Sequence, residues 1–170
     1  MKGQLFSYDL LLASVFVIFL MALFLLSLES VLSGIDSTEL RGEMQEAVQT
    51  AADSLVRTPG NPSNWELQPI GENGTRSLGL ANSPGELDPA KVAAFFSIGN
   101  TSTEYNATLP ILGLQRRIYY YNATLESLDG SALYSLQRFP SGSPPQTVSV
   151  ERLARLNGTP VRFTMVVWRE

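Results

Sequence analysis

The chain has 170 residues, about the length of one domain. Its 12 Lys and Arg against 16 Asp and Glu give a net charge of −4, which excludes a nucleic-acid binder that works through bulk positive charge. The sequence contains no Cys and no His, and this excludes disulfides, thiolate or His-ligated metal sites, and hydrolases of the Ser-His-Asp or Cys-His type.

The first predicted element is a membrane-spanning helix. Residues 10–28 contain no charged side chain, and their apolar residues lie on every side of a helix. At about 1.5 Å per residue this run nearly spans a hydrocarbon core of about 30 Å. It is also longer than the roughly 7–15 apolar residues of an ordinary secretory signal. We therefore predict a single membrane anchor; a buried helix of a soluble protein is the alternative.

The residues on either side of the anchor predict its orientation. Only Lys2 and the N-terminal amine precede it as positive charges, a weak signal that places the N-terminus in the cytoplasm. Five Asn-x-Ser/Thr triplets follow the anchor and none precedes it, which favours an extracellular body that carries N-linked glycans, although such triplets also arise by chance. The predicted glycosylation sites are Asn73, Asn100, Asn106, Asn122 and Asn157.

The N-terminal tip resembles a known processing signal. It reads MKGQLFSYD, a short basic leader followed by Gly3, Gln4 and an acidic residue just before the apolar run. This pattern resembles the class III signal peptide of archaeal type IV pilin-like proteins. The resemblance implies that a prepilin peptidase cuts between Gly3 and Gln4, so that residues 1–3 are a leader. It also implies that the apolar run first anchors the protein in the membrane and later packs in the core of a filament.

Asp9 lies at the edge of the apolar run, where a carboxylate is costly unless it faces water or finds a partner. By the same resemblance, Asp9 would be a filament-core acid that pairs with the free N-terminal amine of a neighbouring subunit. The alternative is that Asp9 lies in the cytoplasmic headgroup layer and needs no partner.

The helix is predicted to continue well beyond the anchor. After Leu28, apolar residues recur at spacings of three to five among acidic residues, which keeps one face of a helix apolar. The sequence Thr-Pro-Gly that follows Arg57 is a stop signal. We predict one helix from about Gln4 to Arg57, so that residues 4–58 form a membrane and filament-core helix with its stalk.

Residues 59–170 are predicted to form a small, β-rich extracellular head. The stretch 58–86 is punctuated by Pro, Gly, Asn and Ser too densely for long elements. Asp88 and Pro89 mark the start of a short helix, as its N-cap and its first residue. Residues 105–112 form a second short helix or, because a proline interrupts them, a strand or loop.

Four strands complete the head. Their aromatic and β-branched residues, with Asp-Gly and Asn-Gly turns, suggest one antiparallel sheet whose apolar face covers the stalk helix. The fold class is therefore α+β, with a long N-terminal helix packed on a small antiparallel sheet, as in type IV pilin-like proteins. The stretches TPGNPSNWE, LGLA and LDPAKV also look similar to the head of euryarchaeal class III signal peptide proteins. The strands are predicted at residues 116–125, 132–139, 147–156 and 161–168.

No motif in the sequence indicates catalysis. There is no phosphate-binding GxxxxGK[ST] loop and no GxGxxG motif. Glu86 and Asp88 lie close in sequence, but a helix cap explains Asp88 better than a glycosidase carboxylate pair does. Sheet packing explains Tyr119, Tyr120 and Tyr121, with the first and last on one face; an adhesive or glycan-stacking patch is the alternative. We expect no enzyme activity, no metal, and no cofactor apart from N-linked glycans.

The anchor and the resemblance together predict a structural protein. We expect a subunit of an archaeal type IV pilus-like extracellular filament, a helical homo-oligomer assembled through its N-terminal helices. The expected partners are identical subunits, the membrane before assembly, a prepilin peptidase and the pilus assembly machinery, and not nucleic acid. The alternative is a single-span surface glycoprotein that does not polymerise. Whether such a subunit is major or minor, and whether the filament serves adhesion or motility, is left open.

Overall fold

The computed structural model describes residues 2–71, 74–115, 119–138 and 146–169; within these ranges the side chains of residues 2–7, 29–39 and 100 are not described. The chain divides into two compact units, Met1–Leu40 and Arg41–Glu170. The boundary falls inside the long helix α1 (Lys2–Arg57), so both units contain a part of it. The described part of the first unit is helix throughout, whereas every described strand belongs to the second.

The long N-terminal helix predicted from the sequence is confirmed. Helix α1 runs from Lys2 to Arg57, and within the described residues its stretch Tyr8–Leu28 is long and apolar enough to cross a membrane. After Arg57 the chain leaves the helix, and Gly60 adopts a φ of +81°, which L side chains rarely adopt. The stop signal therefore works as its residue types predict.

The loop after α1 is fixed by a tryptophan. Trp65 is buried, and its indole N–H donates a hydrogen bond to the carbonyl of Gly79 at 2.8 Å. Gly79 has no room for a side chain, because a Cβ there would collide with the carbonyl of Thr58. The predicted loop is thus held against the core of the second unit.

Two short helices follow in the second unit. Helix α2 (Pro89–Ser97) begins with a proline, and the Asp88 carboxylate accepts a hydrogen bond from the N–H of Ala90 at 2.8 Å, so the predicted cap is confirmed. Helix α3 (Ser102–Ile111) covers most of residues 105–112, so of the helix, strand and loop that the sequence allows there, the helix is found. Its proline, Pro110, is the second-to-last helical residue, so the hydrogen bond lost with its missing N–H falls at the end of the helix.

A six-stranded sheet forms the other layer of the second unit. Its spatial order is β1-β2-β5-β6-β3-β4, and long antiparallel ladders join β5, β6 and β3. The strands are β1 (Ala81–Ser83), β2 (Glu86–Leu87), β3 (Tyr119–Ser127), β4 (Ala132–Leu136), β5 (Thr147–Leu156) and β6 (Thr159–Arg169).

The prediction of a four-stranded, wholly antiparallel sheet is wrong in two respects. The stretch predicted to be loop contributes β1 and β2, and β2 pairs with β5 in parallel, making the sheet mixed. The parallel pairing includes a hydrogen bond of 2.8 Å from the N–H of Arg155 to the carbonyl of Gly85. Strands of two or three residues are too short to carry an alternating pattern, so only the folded chain reveals them.

One face of the sheet carries the core of the second unit. Tyr121 of β3 lies opposite Val167 of β6, and both are buried. The ring of Phe95 from α2 stacks 6.3 Å from that of Tyr121, and the ring of Tyr105 from α3 stacks 4.9 Å from it. Helices α2 and α3 therefore cover this face.

The last turns of α1 pack in the same core. Met44, Val48 and Leu55 are all fully buried, and the carbonyl of Leu55 accepts a hydrogen bond from the N–H of Leu80 at 2.7 Å. This part of α1, residues 41–57, shows the one-sided burial that its spacing of apolar residues predicts.

Candidate functional site

The stretch Tyr8–Leu28 of α1, called the apolar segment below, is the candidate functional surface. All 21 of its residues are exposed. Of the 20 large hydrophobic side chains exposed among the described residues, 16 belong to it, so exposed apolar area is concentrated in this segment. At about 1.5 Å per residue, it is long enough for a hydrocarbon core of about 30 Å.

The serine hydroxyls within the apolar segment are satisfied by the helix itself. The hydroxyl of Ser14 donates to the carbonyl of Leu11, and that of Ser27 donates to the carbonyl of Phe24, each at 2.8 Å. Backbone groups of a helix are likewise satisfied within it. Between Asp9 and its end, the segment therefore suits a dry surrounding of lipid tails or other helices.

The predicted processing residues lie at the start of the same helix. Gly3 and Gln4 belong to the helical backbone of α1, and the side chain of Gln4 lies outside the described ones. Asp9 is exposed near the N-terminal end of the apolar segment, as its position in the sequence predicts. The structure thus places Asp9 at the N-terminal edge of the apolar segment.

Two of the predicted glycosylation sites lie in regular structure. Asn106 is exposed on α3, but Thr108 of the same triplet is buried; its hydroxyl donates to the carbonyl of Tyr105 at 2.6 Å. Asn122 is half-buried in β3, and its side-chain oxygen accepts a hydrogen bond from the N–H of Arg138 at 2.6 Å.

A third site lies at a turn. Asn157 is exposed between β5 and β6, with a φ of +54°. Asn73 lies outside the described residues, and for Asn100 only the backbone is described, in a 3₁₀ turn. The three described Asn side chains therefore share a motif but not an environment.

An ion pair that the sequence analysis missed joins α1 to the sheet. The guanidinium of Arg152 on β5 donates to both carboxylate oxygens of Asp53, at 2.8 and 3.3 Å, and Arg57 lies 3.3 Å from the same carboxylate. The hydrogen bond from Arg152 lowers the pKa of Asp53, against the opposing effect of burial, and the pKa of Arg152 is raised in turn. The signal in the sequence was an arginine at an inward-facing position of β5, between Val150 and Ala154.

The two carboxylates considered as a catalytic pair have separate structural roles. Asp88 caps α2, and the carboxylate of Glu86 accepts a hydrogen bond from the N–H of Gly158 at 2.9 Å. In the part of the chain that the structure describes, no group of three acidic residues is placed to hold a metal ion.

A cleft of about 750 Å³ lies in the second unit between α1 and the segment that joins α3 to β3. Two carboxylates stand on its helical wall, and its other wall is mostly apolar. It is lined by Glu43, Glu46, Ala47, Thr50, Leu112, Gly113 and Tyr119.

The three consecutive tyrosines alternate across the sheet as predicted. Tyr119 and Tyr121 are buried on the core face, and the hydroxyl of Tyr121 lies 2.9 Å from that of Thr108. Tyr120 is half-buried on the opposite face, where its ring stacks on Trp168 with the centroids 6.3 Å apart. Packing therefore accounts for these residues.

No protein-family model, no curated protein and no solved structure matches this chain. The residues and their geometry therefore carry the functional interpretation.

Proposed function

We propose that this chain is a structural subunit of an extracellular type IV pilus-like filament, archaeal by the pattern of its leader, in which the apolar segments of identical subunits pack together. One observation carries the proposal. In a single copy the apolar segment is exposed over its whole length, whereas the second unit buries a core of its own. A contiguous apolar surface of that size needs a covering from outside the copy.

The physical exchange behind assembly is one apolar environment for another. The segment lies in lipid before assembly and among neighbouring apolar segments afterwards, so its filament is held by close packing of side chains and not by transfer from water. Apolar residues on all sides of the helix suit a helix that is surrounded, by lipid or by several neighbours. Residues 41–57 stay within the folded second unit, which forms the outer surface.

The start of the chain supplies the processing step of the proposal. A cut between Gly3 and Gln4 leaves the apolar segment on the mature protein and creates a new amine. The carboxylate of Asp9 then pairs with that amine on a neighbouring subunit, a charge-assisted contact in a dry core. Counted from Gln4, Asp9 is the sixth residue, one position later than the acid of the family pattern.

The test is to map the N-terminus of the native protein in two fractions, the membranes and the material sheared from the cell surface. A chain that begins at Gln4 in the sheared fraction supports the filament subunit. A chain that begins at Met1 and is confined to membranes contradicts it and leaves the single-span surface glycoprotein. As a matched pair, Gly3→Val should block cleavage and remove the protein from the sheared fraction, whereas Lys2→Arg should preserve both.

A further inference from the structure

The three sequons with described side chains differ in whether a folded chain can present them to a modifying enzyme. Such an enzyme must reach the Asn side-chain nitrogen, and it recognises the hydroxyl of the third residue of the triplet. Both groups must therefore be accessible together. The folded second unit offers three contrasting cases: a helix, a strand inside the sheet and a hairpin turn.

At Asn122 the strand restricts access to the side-chain amide. It lies half-buried in β3, paired with Val166 of β6, and its side-chain amide is oriented by the 2.6 Å hydrogen bond from the N–H of Arg138. A sugar on the nitrogen of that amide would need room beside the strand. Displacing the amide would also leave the partly buried Arg138 N–H without its acceptor, and losing a hydrogen-bond partner is destabilising.

In the Asn106 triplet, the hydroxyl of the third residue is not accessible. The Asn side chain itself is exposed on α3, but Thr108 has no exposed surface. Its hydroxyl donates to the carbonyl of Tyr105 and contacts the hydroxyl of Tyr121 in the core. Recognition of this triplet would require α3 to unwind and the core hydrogen bonds to break.

Asn157 satisfies both conditions. It is exposed at the tip of the β5–β6 hairpin, and Thr159 of the same triplet is exposed as well. The hydrogen bond at this turn uses a backbone group and not the Asn157 side chain. The N–H of Gly158 donates to the carboxylate of Glu86 at 2.9 Å. Among the described residues, no hydrogen bond uses the Asn157 side chain, so a sugar there would break none of them.

We propose that Asn157 is the residue that carries an N-linked glycan among these three, attached after the second unit has folded. This inference rests on the proposed function in one respect, that the second unit reaches the outside of the cell. In the reaction, the Asn157 side-chain nitrogen bonds to the anomeric carbon of an oligosaccharide carried on a lipid-linked phosphate. The bond from that carbon to the phosphate oxygen breaks, the lipid phosphate leaves, and the amide loses one proton to a base.

The experiment is glycopeptide mass spectrometry of the full-length protein from its own cells, with the glycan left intact. The intact glycan is the readout because an Asn-Gly pair such as Asn157-Gly158 also deamidates spontaneously, which mimics enzymatic release. We expect the glycan on Asn157 and bare peptides for Asn106 and Asn122. Thr159→Ala should remove one glycan mass from the intact protein, whereas Thr159→Ser should keep it.

A bare Asn157, or a glycan on Asn106 or Asn122, would overturn the inference. The N-terminal peptide in the same digest separates this result from the fate of the filament proposal. A bare Asn157 on chains that begin at Gln4 in the sheared fraction contradicts the glycan site alone. A glycan on Asn157 in chains that begin at Met1 and stay in membranes contradicts the filament alone.

Discussion

Helix α1 contains two stretches that share a backbone conformation and differ in everything else. In residues 41–57, buried residues such as Met44, Val48 and Leu55 recur every three or four positions, and charged residues lie between them. In the apolar segment every residue is exposed and none is charged beyond Asp9. A helix satisfies its own backbone in either case, so the side chains alone decide what each stretch needs around it.

The difference separates stability that the chain supplies from stability that it must obtain elsewhere. Burying one large apolar side chain contributes about 1.5–3 kcal/mol, and residues 41–57 gain it from the sheet and helices of their own unit. The apolar segment gains it only from lipid or from other copies. Substitutions in the apolar segment should therefore change assembly, and substitutions in residues 41–57 should change the free energy of unfolding.

The largest expected effect is on assembly. Val17 is exposed in the middle of the apolar segment, and Val17→Glu should remove filaments from the sheared fraction. A charge at the centre of a lipid-facing helix costs about 2.5–3.5 kcal/mol on insertion scales. The thermal unfolding of the second unit should be unchanged. The control is Gln45→Glu, at an exposed position in residues 41–57, which should preserve filaments. Normal filaments with Val17→Glu would contradict the role of the apolar segment in assembly.

The second-largest expected effect is on the stability of the second unit. Leu55 is fully buried, and Leu55→Ala should lower the free energy of unfolding by about 2–5 kcal/mol through lost contacts and a cavity. The matched change in the same helix is Leu25→Ala, where the side chain is exposed; the expected change is within about 0.5 kcal/mol. Denaturant titration of the full chain in detergent measures both. Equal effects would show that the two stretches do not differ as proposed.

The elements that the sequence predicted well are those specified by neighbouring residues. The extent of α1, the Asp88 cap and the hairpin at Asn157-Gly158 each depend on a local pattern, and all three are found. The apolar segment is also predicted from the sequence, because its composition alone identifies it. What covers it is not encoded in one copy of the chain, and its assembly therefore stays a proposal.

The features that the sequence did not predict depend on residues far apart in the chain. Asp53 and Arg152 lie 99 positions apart; the alternation along β5 indicates that Arg152 faces inward, but nothing near either residue identifies the other as its partner. The parallel pairing of β2 with β5 is also a long-range contact. The contrast among the Asn-x-Ser/Thr triplets has the same origin, since the partners of Thr108 and Asn122 come from other elements.

A smaller effect is expected from the buried hydroxyls beneath the sheet. Tyr121→Phe removes the hydroxyl that lies 2.9 Å from that of Thr108 in the core, and should lower the free energy of unfolding by about 1–2 kcal/mol. Tyr120→Phe is the adjacent control, half-buried on the opposite face, and should change it by less than about 0.5 kcal/mol. Thermal unfolding of the two variants and of the unchanged protein measures both changes in stability. If Tyr120→Phe were the more destabilising, the assignment of core and outer face would be wrong.

The smallest expected effect is electrostatic and concerns the link between α1 and the sheet. Arg152 lowers the pKa of Asp53 in the folded state, so the pair stabilises the fold fully above the ordinary Asp pKa of about 3.9. The stabilisation is lost as the pH falls through the lowered folded-state pKa. Because both side chains are partly exposed, we expect it to be worth less than about 1 kcal/mol.

Measuring the free energy of unfolding against pH tests this link. Asp129 adds a background of the same sign, because the backbone N–H and hydroxyl of Ser131 lower its pKa too. Asp53→Asn should therefore reduce the acid dependence without abolishing it. Arg152→Met should remove most of the same part of the dependence, since the hydrogen bond from Arg152 is the largest cause of the lowered pKa of Asp53 and only the weaker attraction of Arg57 remains. If Arg152→Met left the acid dependence intact, the pair would not be what fastens residues 41–57 to β5 in solution.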